Sequence, residues 1–328
     1  MTIQQLMRRI GVVLAMLALT FALAACGDDD EAAQPAQTSG EEKSAKLIQS
    51  NPDNTAQTVT IGSKNFTEQF ILGEIYAQGL QAAGYKVKKQ LNLGSELIAF
   101  RSVKRGDVDA YPEYTGTALT SFFDVKTDDI PKDEQQAYEQ TKAGFAKDGL
   151  TALPPTPFTD ANAVGMTKAR ASELGITKIS DLAEKAGDLT LSGSPECRQR
   201  TDCKLGIERT YGFKFGKYLP VELASRHEVL KKKQADASIV FTTDGQIVAE
   251  DLVVLEDDKQ LFPPYNVTLV VRDETVKAAG PDMPKVIAQV QEGLTTEVMQ
   301  ELNSRVDIDK EKPEDVAAAY LKESGYIE

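Results

Sequence analysis

Hydrophobic and polar positions change period repeatedly along the chain, and each change predicts an element. Val59-Thr60-Ile61 reads as a short strand. Phe70, Ile71, Ile75 and Leu80 fall near helical spacing, with Thr67 placed to cap and Gly84 to stop a helix ending near Ala83. Val87 to Leu93 reads as a strand, Glu96 to Lys104 as a helix and Val108 to Ala110 as a strand. Asp133 to Lys147 is a helix with one polar face, and Pro154, Pro155 and Pro157 then break the pattern.

The pattern restarts after that break. Ala163 to Met166, Leu189 to Leu191 and Ser238 to Phe241 read as strands. Ser180-Asp181 opens a helix, Thr201 to Tyr211 forms another that ends at Gly212, and His227 to Gln234 a third. Pro263-Pro264 marks a second break, followed by a strand from Val267 to Val271. Three helices close the chain, around Pro284–Gln291, Thr295–Arg305 and Pro313–Ser324; Pro313 suits a first helical turn.

Alternating strands and helices with two proline-marked breaks predict an α/β protein of two lobes joined by two crossings. The expected partition is 58–158 and 266–328 for the first lobe and 159–265 for the second, with crossings near 154–161 and 261–266. The first lobe is thus assembled from both ends of the folded chain, and a ligand is expected in the cleft between lobes. Two βα units in succession, Ile61 to Thr117, should bring a polar loop and an aromatic loop (Tyr111 to Thr117) to one edge of a parallel sheet.

The first 25 residues do not belong to this pattern. Arg8 and Arg9 precede an apolar run from Ile10 to Ala25, short for a membrane span and ending in small residues, which reads as a secretory signal. The run closes on Leu23-Ala24-Ala25-Cys26, which looks like the lipobox of bacterial lipoproteins; that likeness implies lipid on Cys26 and an extracytoplasmic chain anchored to the bacterial cell membrane. A plain signal with an incidental cysteine is the alternative. Gly27 to Asn54 is rich in Asp, Glu, Ala, Gln, Ser and Pro, so residues 26–57 are expected to be a disordered tether.

The net charge is −13, and removal of the signal, which carries two arginines and no acid, makes the chain more acidic still. Nucleic-acid binding needs a basic footprint and is excluded. Lys231-Lys232-Lys233 reads as a solvated helix end. Cys197 and Cys203 stand close in sequence in a compartment that permits disulfides, and are expected to pair; two free thiols or half a metal site are the alternatives. No metal or other cofactor is expected, because the one histidine, His227, is far from both cysteines. With one histidine and no nucleophile motif, the chain is not expected to be an enzyme.

Four segments carry a more specific signal: GSKNFTEQ (Gly62–Gln69), GDVDAYPEYTGT (Gly106–Thr117), TTDG (Thr242–Gly245) and LEDDKQLFPPY (Leu255–Tyr265). In this order they resemble the substrate-binding component of ABC importers for glycine betaine, carnitine, choline and related osmoprotectants. The resemblance implies a type II periplasmic-binding-protein fold, a permease and its ATPase as partners, and a monomer. It also implies a box of aromatic rings for a quaternary ammonium group, onto which Tyr114, Tyr265 and Phe241 map, while Asn162 stands where a fourth ring is expected. The carboxylate end of a ligand maps onto Lys64, Thr117 and Arg200, with Gln69 and Glu196 as further contacts. Tyr111 reads as core, Asp244 as part of a turn and His227 as a surface helix residue. Ergothioneine or a polar non-quaternary ligand is the alternative cargo, and a sensor or adhesin lipoprotein without transport the alternative role.

Overall fold

A computed structural model describes residues 46–328. The signal, Cys26 and most of the expected tether lie outside the described residues. The first sheet has the order β2-β1-β3-β10-β4 and is built from β1 (Thr58–Gly62), β2 (Lys86–Gln90), β3 (Ala110–Tyr114), β4 (Leu150–Ala152) and β10 (Val267–Arg272). The second has the order β7-β6-β8-β5-β9, from β5 (Asn162–Thr167), β6 (Thr190–Gly193), β7 (Lys217–Pro220), β8 (Ala237–Phe241) and β9 (Leu252–Val254). Each sheet has parallel strands on one side and a strand that runs antiparallel to its neighbours inserted near the other: β10 in the first, β5 in the second.

In the first lobe α1 (Thr67–Ala82), α2 (Glu96–Arg105), α3 (Thr115–Ser121) and α4 (Glu134–Ala146) connect the early strands. The second carries α5 (Lys168–Leu174), α6 (Lys204–Tyr211), α7 (Glu228–Lys231) and α8 (Gln246–Ala249). After β10 the chain finishes with α9 (Asp273–Ala279), α10 (Asp282–Gln291), α11 (Thr296–Asp307) and α12 (Pro313–Glu323). Ile71, Ile75 and Leu80 of α1 bury fully against Ile287, Leu302 and Leu321 of the last three helices. A separate core around Val164, Leu191 and Ile207 fills the second lobe.

The chain passes between the sheets twice, and the two crossings are hydrogen-bonded to each other. Thr159 and Asn266 form a bridge, the Tyr265 N–H donates to Thr159 Oγ1 at 2.8 Å, and the Asn266 amide donates to the carbonyls of Thr156 and Phe158 at 3.2 Å each. Two crossing segments tied in this way can flex at few points, which suits a hinge.

Three expectations about the fold need correction. The strand placed at Val108–Ala110 begins at Ala110 and runs through the predicted aromatic loop to Tyr114, where α3 starts. Pro112 and Glu113 disguise a central strand that is buried along its whole length. Glu113 is tolerated there because Lys64 neutralises it. Second, residues 46–57 are not tether. Ile48 joins the first-lobe core, its N–H donates to the Tyr326 carbonyl at 2.9 Å, and Asn54 bonds the carbonyl at the end of α1. Third, Thr67 is the first residue of α1 rather than its cap; Phe66 takes the cap position, and Thr67 donates its hydroxyl to Asp307.

Candidate functional site

A cavity of about 150 Å³ lies between the lobes. Lys64, Tyr114 and Thr117 reach it from the first lobe, Asn162, Glu196, Arg200 and Phe241 from the second, and Tyr265 from the returning crossing. Gln69 does not line it. That side chain is fully buried behind the wall, where its carbonyl accepts the Lys64 N–H at 3.1 Å. Phe66, Asp160 and Arg226 also line the cavity and were not picked out in the sequence.

Local structure fixes the rings. Phe66, at the entrance of α1, stacks on Tyr114 with centroids 6.1 Å apart and sits 5.7 Å from Phe241. Phe241 ends β8 and pairs in register with Asn162 of β5. Gly116 lets α3 approach the crossing: a Cβ there would lie 2.8 Å from both the Tyr265 ring and the Pro264 carbonyl. The tyrosine hydroxyls are held as well. Tyr114 donates to Glu68 at 2.9 Å and Tyr265 to Asp202 at 2.6 Å. Burial, reinforced by these carboxylates, pushes both phenols well above their ordinary range. Asn162 has a different task from a ring: its amide donates to the Asp202 carbonyl at 3.0 Å and to the Tyr265 hydroxyl at 3.2 Å.

Three cations face the cavity, and each has a carboxylate of its own. Lys64 Nζ contacts Glu113 at 2.5 Å. Arg200 places Nε and Nη2 on the two oxygens of Asp202, with Glu96 at 3.6 Å as a second partner from the other lobe. Arg226 forks onto Asp244. Burial alone would raise the carboxyls of Asp202 and Asp244. The opposing Arg200 and Arg226 charges outweigh it and hold both below the usual carboxylate range. Two of these cations also lie over rings: Lys64 Nζ is 4.3 Å from the Tyr114 centroid, and the Arg226 guanidinium carbon is 4.6 Å from that of Phe241.

The disulfide between Cys197 and Cys203 closes the loop that carries Arg200. Glu196, just before that loop, is exposed at the cavity edge, and Arg200 pairs with Asp202 and Glu96. His227 is not a surface residue. It is 4 % exposed, and its Nε2 lies 2.8 Å from Asp244 Oδ2. Asp244 draws it inward, gathering His227, Arg226 and the Phe241 N–H into one buried cluster. Tyr111 is core, fully buried with its hydroxyl on Glu113. Lys231 and Lys232 make exposed pairs with Glu250 and Glu228. Among the described residues no group of three or more His, Cys, Asp or Glu is disposed to hold a metal ion.

Two α/β lobes tied by a double crossing, with an aromatic and charged cavity between them, define a solute-binding protein of the two-lobed type. The family described as the substrate binding domain of ABC-type glycine betaine transport systems matches residues 57–323, and the chain belongs to it. Its members bind and deliver solutes; they are not enzymes. A glycine-betaine-binding protein of Pseudomonas aeruginosa is 36% identical over 279 residues, covering 82% of this chain and 88% of that one. An ergothioneine transport permease/ergothioneine binding protein of Helicobacter pylori is 30% identical over 269 residues, which span 81% of this chain and 48% of that protein. Among solved structures, one of a glycine betaine/carnitine/choline ABC transporter protein is 29% identical with a TM-score of 0.69, covering 82% of this chain and all of that one.

Proposed function

We propose that the chain captures a quaternary-amine osmoprotectant (glycine betaine, carnitine, choline or proline betaine) outside the cytoplasm and delivers it to an ABC permease driven by its ATPase. The observation that carries this reading is the convergence of Phe66, Tyr114, Phe241 and Tyr265 on one interlobe cavity. A trimethylammonium group has no N–H to donate, so ring faces and carboxylates are what can attract it. Each favourable ring contact contributes about 0.5–2 kcal/mol. Tyr114, Tyr265 and Phe241 with Phe66 would surround the cation, Asn162 would orient Tyr265, and Lys64, Thr117 and Arg200 would line the opposite end.

Delivery works by cleft closure. The ligand bridges groups of both lobes, so it binds the closed arrangement better and shifts the balance by that difference. The chain would act as a monomer held to the membrane through lipid on Cys26. Replacing Cys26 by Ser should release it into the soluble fraction; continued membrane retention would argue against the anchor.

Ergothioneine is the second reading. The amide of Asn162 in the ring box, together with the 30% identical ergothioneine-binding relative, favours it. Calorimetry with glycine betaine, carnitine, choline, proline betaine, ergothioneine and ordinary amino acids separates the two. Binding of a simple quaternary amine tighter than about 1 mM supports the first reading. If only ergothioneine binds, the second replaces it, and if only an amino acid binds, both fail.

A further inference from the structure

The lobes also meet away from the cavity, along a seam between α11 of the first lobe and the turn after β8 in the second. Gln300 donates to the Thr242 carbonyl at 2.8 Å, and Gln246 to Asp307 at 2.9 Å. Gly245 permits the close fit: a Cβ there would lie 2.7 Å from the Ser304 backbone. The seam closes on Glu68 of α1, which is buried, does not line the cavity and makes no ion pair among the described residues. Three donors hold it instead. The Tyr114 hydroxyl reaches it at 2.9 Å, the Thr243 hydroxyl at 2.5 Å and the Asn303 amide at 3.0 Å. The same Asn303 amide donates to the Thr243 carbonyl at 3.0 Å. One carboxylate thus joins a cavity ring, the second-lobe turn and the helix on which that turn sits. Burial raises the Glu68 carboxyl, and the bonds from Thr243, Asn303 and Tyr114 oppose the rise. A buried acid without a cation depends on such donors.

We propose that Glu68 and Thr243 are positioning residues for solute capture: their bond clasps the lobes in the closed arrangement and couples that arrangement to the Tyr114 ring. This role rests on the reading above, in which a solute is held between closed lobes. Thr243 follows β8 of the second lobe, whereas Glu68 and Tyr114 belong to the first. Separating the lobes takes the Thr243 hydroxyl from Glu68 and leaves the carboxylate one donor short. A solute lodged on the Tyr114 ring fixes the phenol that donates to Glu68, and so fixes the acceptor that Thr243 needs. Linkage makes the effect reciprocal: the Glu68–Thr243 bond strengthens solute binding by the factor by which solute strengthens the bond. Neither Glu68 nor Thr243 lines the cavity. The clasp therefore acts on lobe orientation and not on any group of the solute, and its loss weakens different solutes alike.

The test is calorimetric titration of the full chain with choline, glycine betaine and ergothioneine, repeated on Thr243→Val, Thr243→Ser, Tyr114→Phe and the double variant Thr243→Val/Tyr114→Phe. Thr243→Val should weaken every solute that the wild-type chain binds by tenfold or more, and by the same factor within threefold. Thr243→Ser keeps the hydroxyl and should stay within threefold of the wild type. Tyr114→Phe keeps the ring and removes its link to Glu68, so the double variant should lose no more than threefold beyond Thr243→Val. Near-ultraviolet circular dichroism establishes that each variant is folded. Affinity within threefold of wild type in Thr243→Val, losses that differ tenfold between solutes, a Thr243→Ser as weak as Thr243→Val, or fully additive losses in the double variant overturns the role while leaving the quaternary-amine reading intact. Failure of all three solutes to bind the wild-type chain defeats that reading and this role with it.

Discussion

Lys64 Nζ lies 4.3 Å from the centroid of the Tyr114 ring while it is ion-paired to Glu113 in the neighbouring strand. One side chain thus does two jobs. It permits a carboxylate inside a central strand, and it fixes a ring that faces the cavity.

Removing Lys64 should therefore cost folding before it costs binding. Lys64→Met leaves Glu113 fully buried with its charge uncompensated, and a loss of about 3–5 kcal/mol is expected. The double variant Lys64→Met/Glu113→Gln should recover most of it. Urea unfolding of the single and double variants measures the coupling; additive losses would show that the pair is not the reason Glu113 is tolerated.

Phe66 connects the Tyr114 and Phe241 rings and is only partly buried. Phe66→Ala should weaken a quaternary amine by about tenfold, roughly 1.4 kcal/mol, with little change in unfolding midpoint. Calorimetry beside thermal unfolding checks this, and affinity unchanged within twofold would remove Phe66 from the box.

Asn162 stands where the resemblance implies a ring. Asn162→Tyr should add about 0.5–1 kcal/mol of cation–ring attraction, a two- to fivefold gain in affinity for a quaternary amine. It also removes the amide that bonds Tyr265. A fall in affinity would mean that orienting Tyr265 matters more than a further ring face.

The pH dependence of stability should have a maximum on the acid side of neutrality. Burial raises the carboxyls of Glu68, Glu113 and Asp160, so the folded state binds protons there more tightly than the unfolded chain. The stability linked to those groups is fully present near their unfolded values of about 4 and is lost as pH rises through the raised folded values. Asp202 and Asp244 act in the opposite sense. Their stabilisation is present above about 4 and is lost as pH falls through their lowered values. Urea midpoints should rise from pH 7 towards pH 5 and fall below pH 4, and Asp160→Asn should flatten the rise. A midpoint that falls steadily from pH 7 downward would contradict the assignment.

Most of the fold was legible because its long elements carry strong periods: α1, α2, α4 and α12 lie within a few residues of their predicted bounds. The three- and four-residue strands β4, β7 and β9 are too short to display one. Around the candidate cavity, the family resemblance picked out Lys64, Tyr114, Arg200 and Tyr265, all of which line it. It did not reveal Phe66, whose position at a helix entrance resembles an ordinary loop residue, or Asp160, an acid in a polar crossing that reads as solvated. Arg226, His227 and Asp244 are joined only through the fold, across β8, and no local pattern announces that cluster.

Choline and 3,3-dimethylbutan-1-ol have nearly the same shape and differ in the charge of the central atom, so their comparison tests most directly whether this cleft is built for a cation. Titrated calorimetrically into the purified full chain, choline should bind, and the neutral alcohol should bind at least tenfold more weakly. Equal affinities would contradict the account, because rings and carboxylate would then be recognising bulk rather than charge.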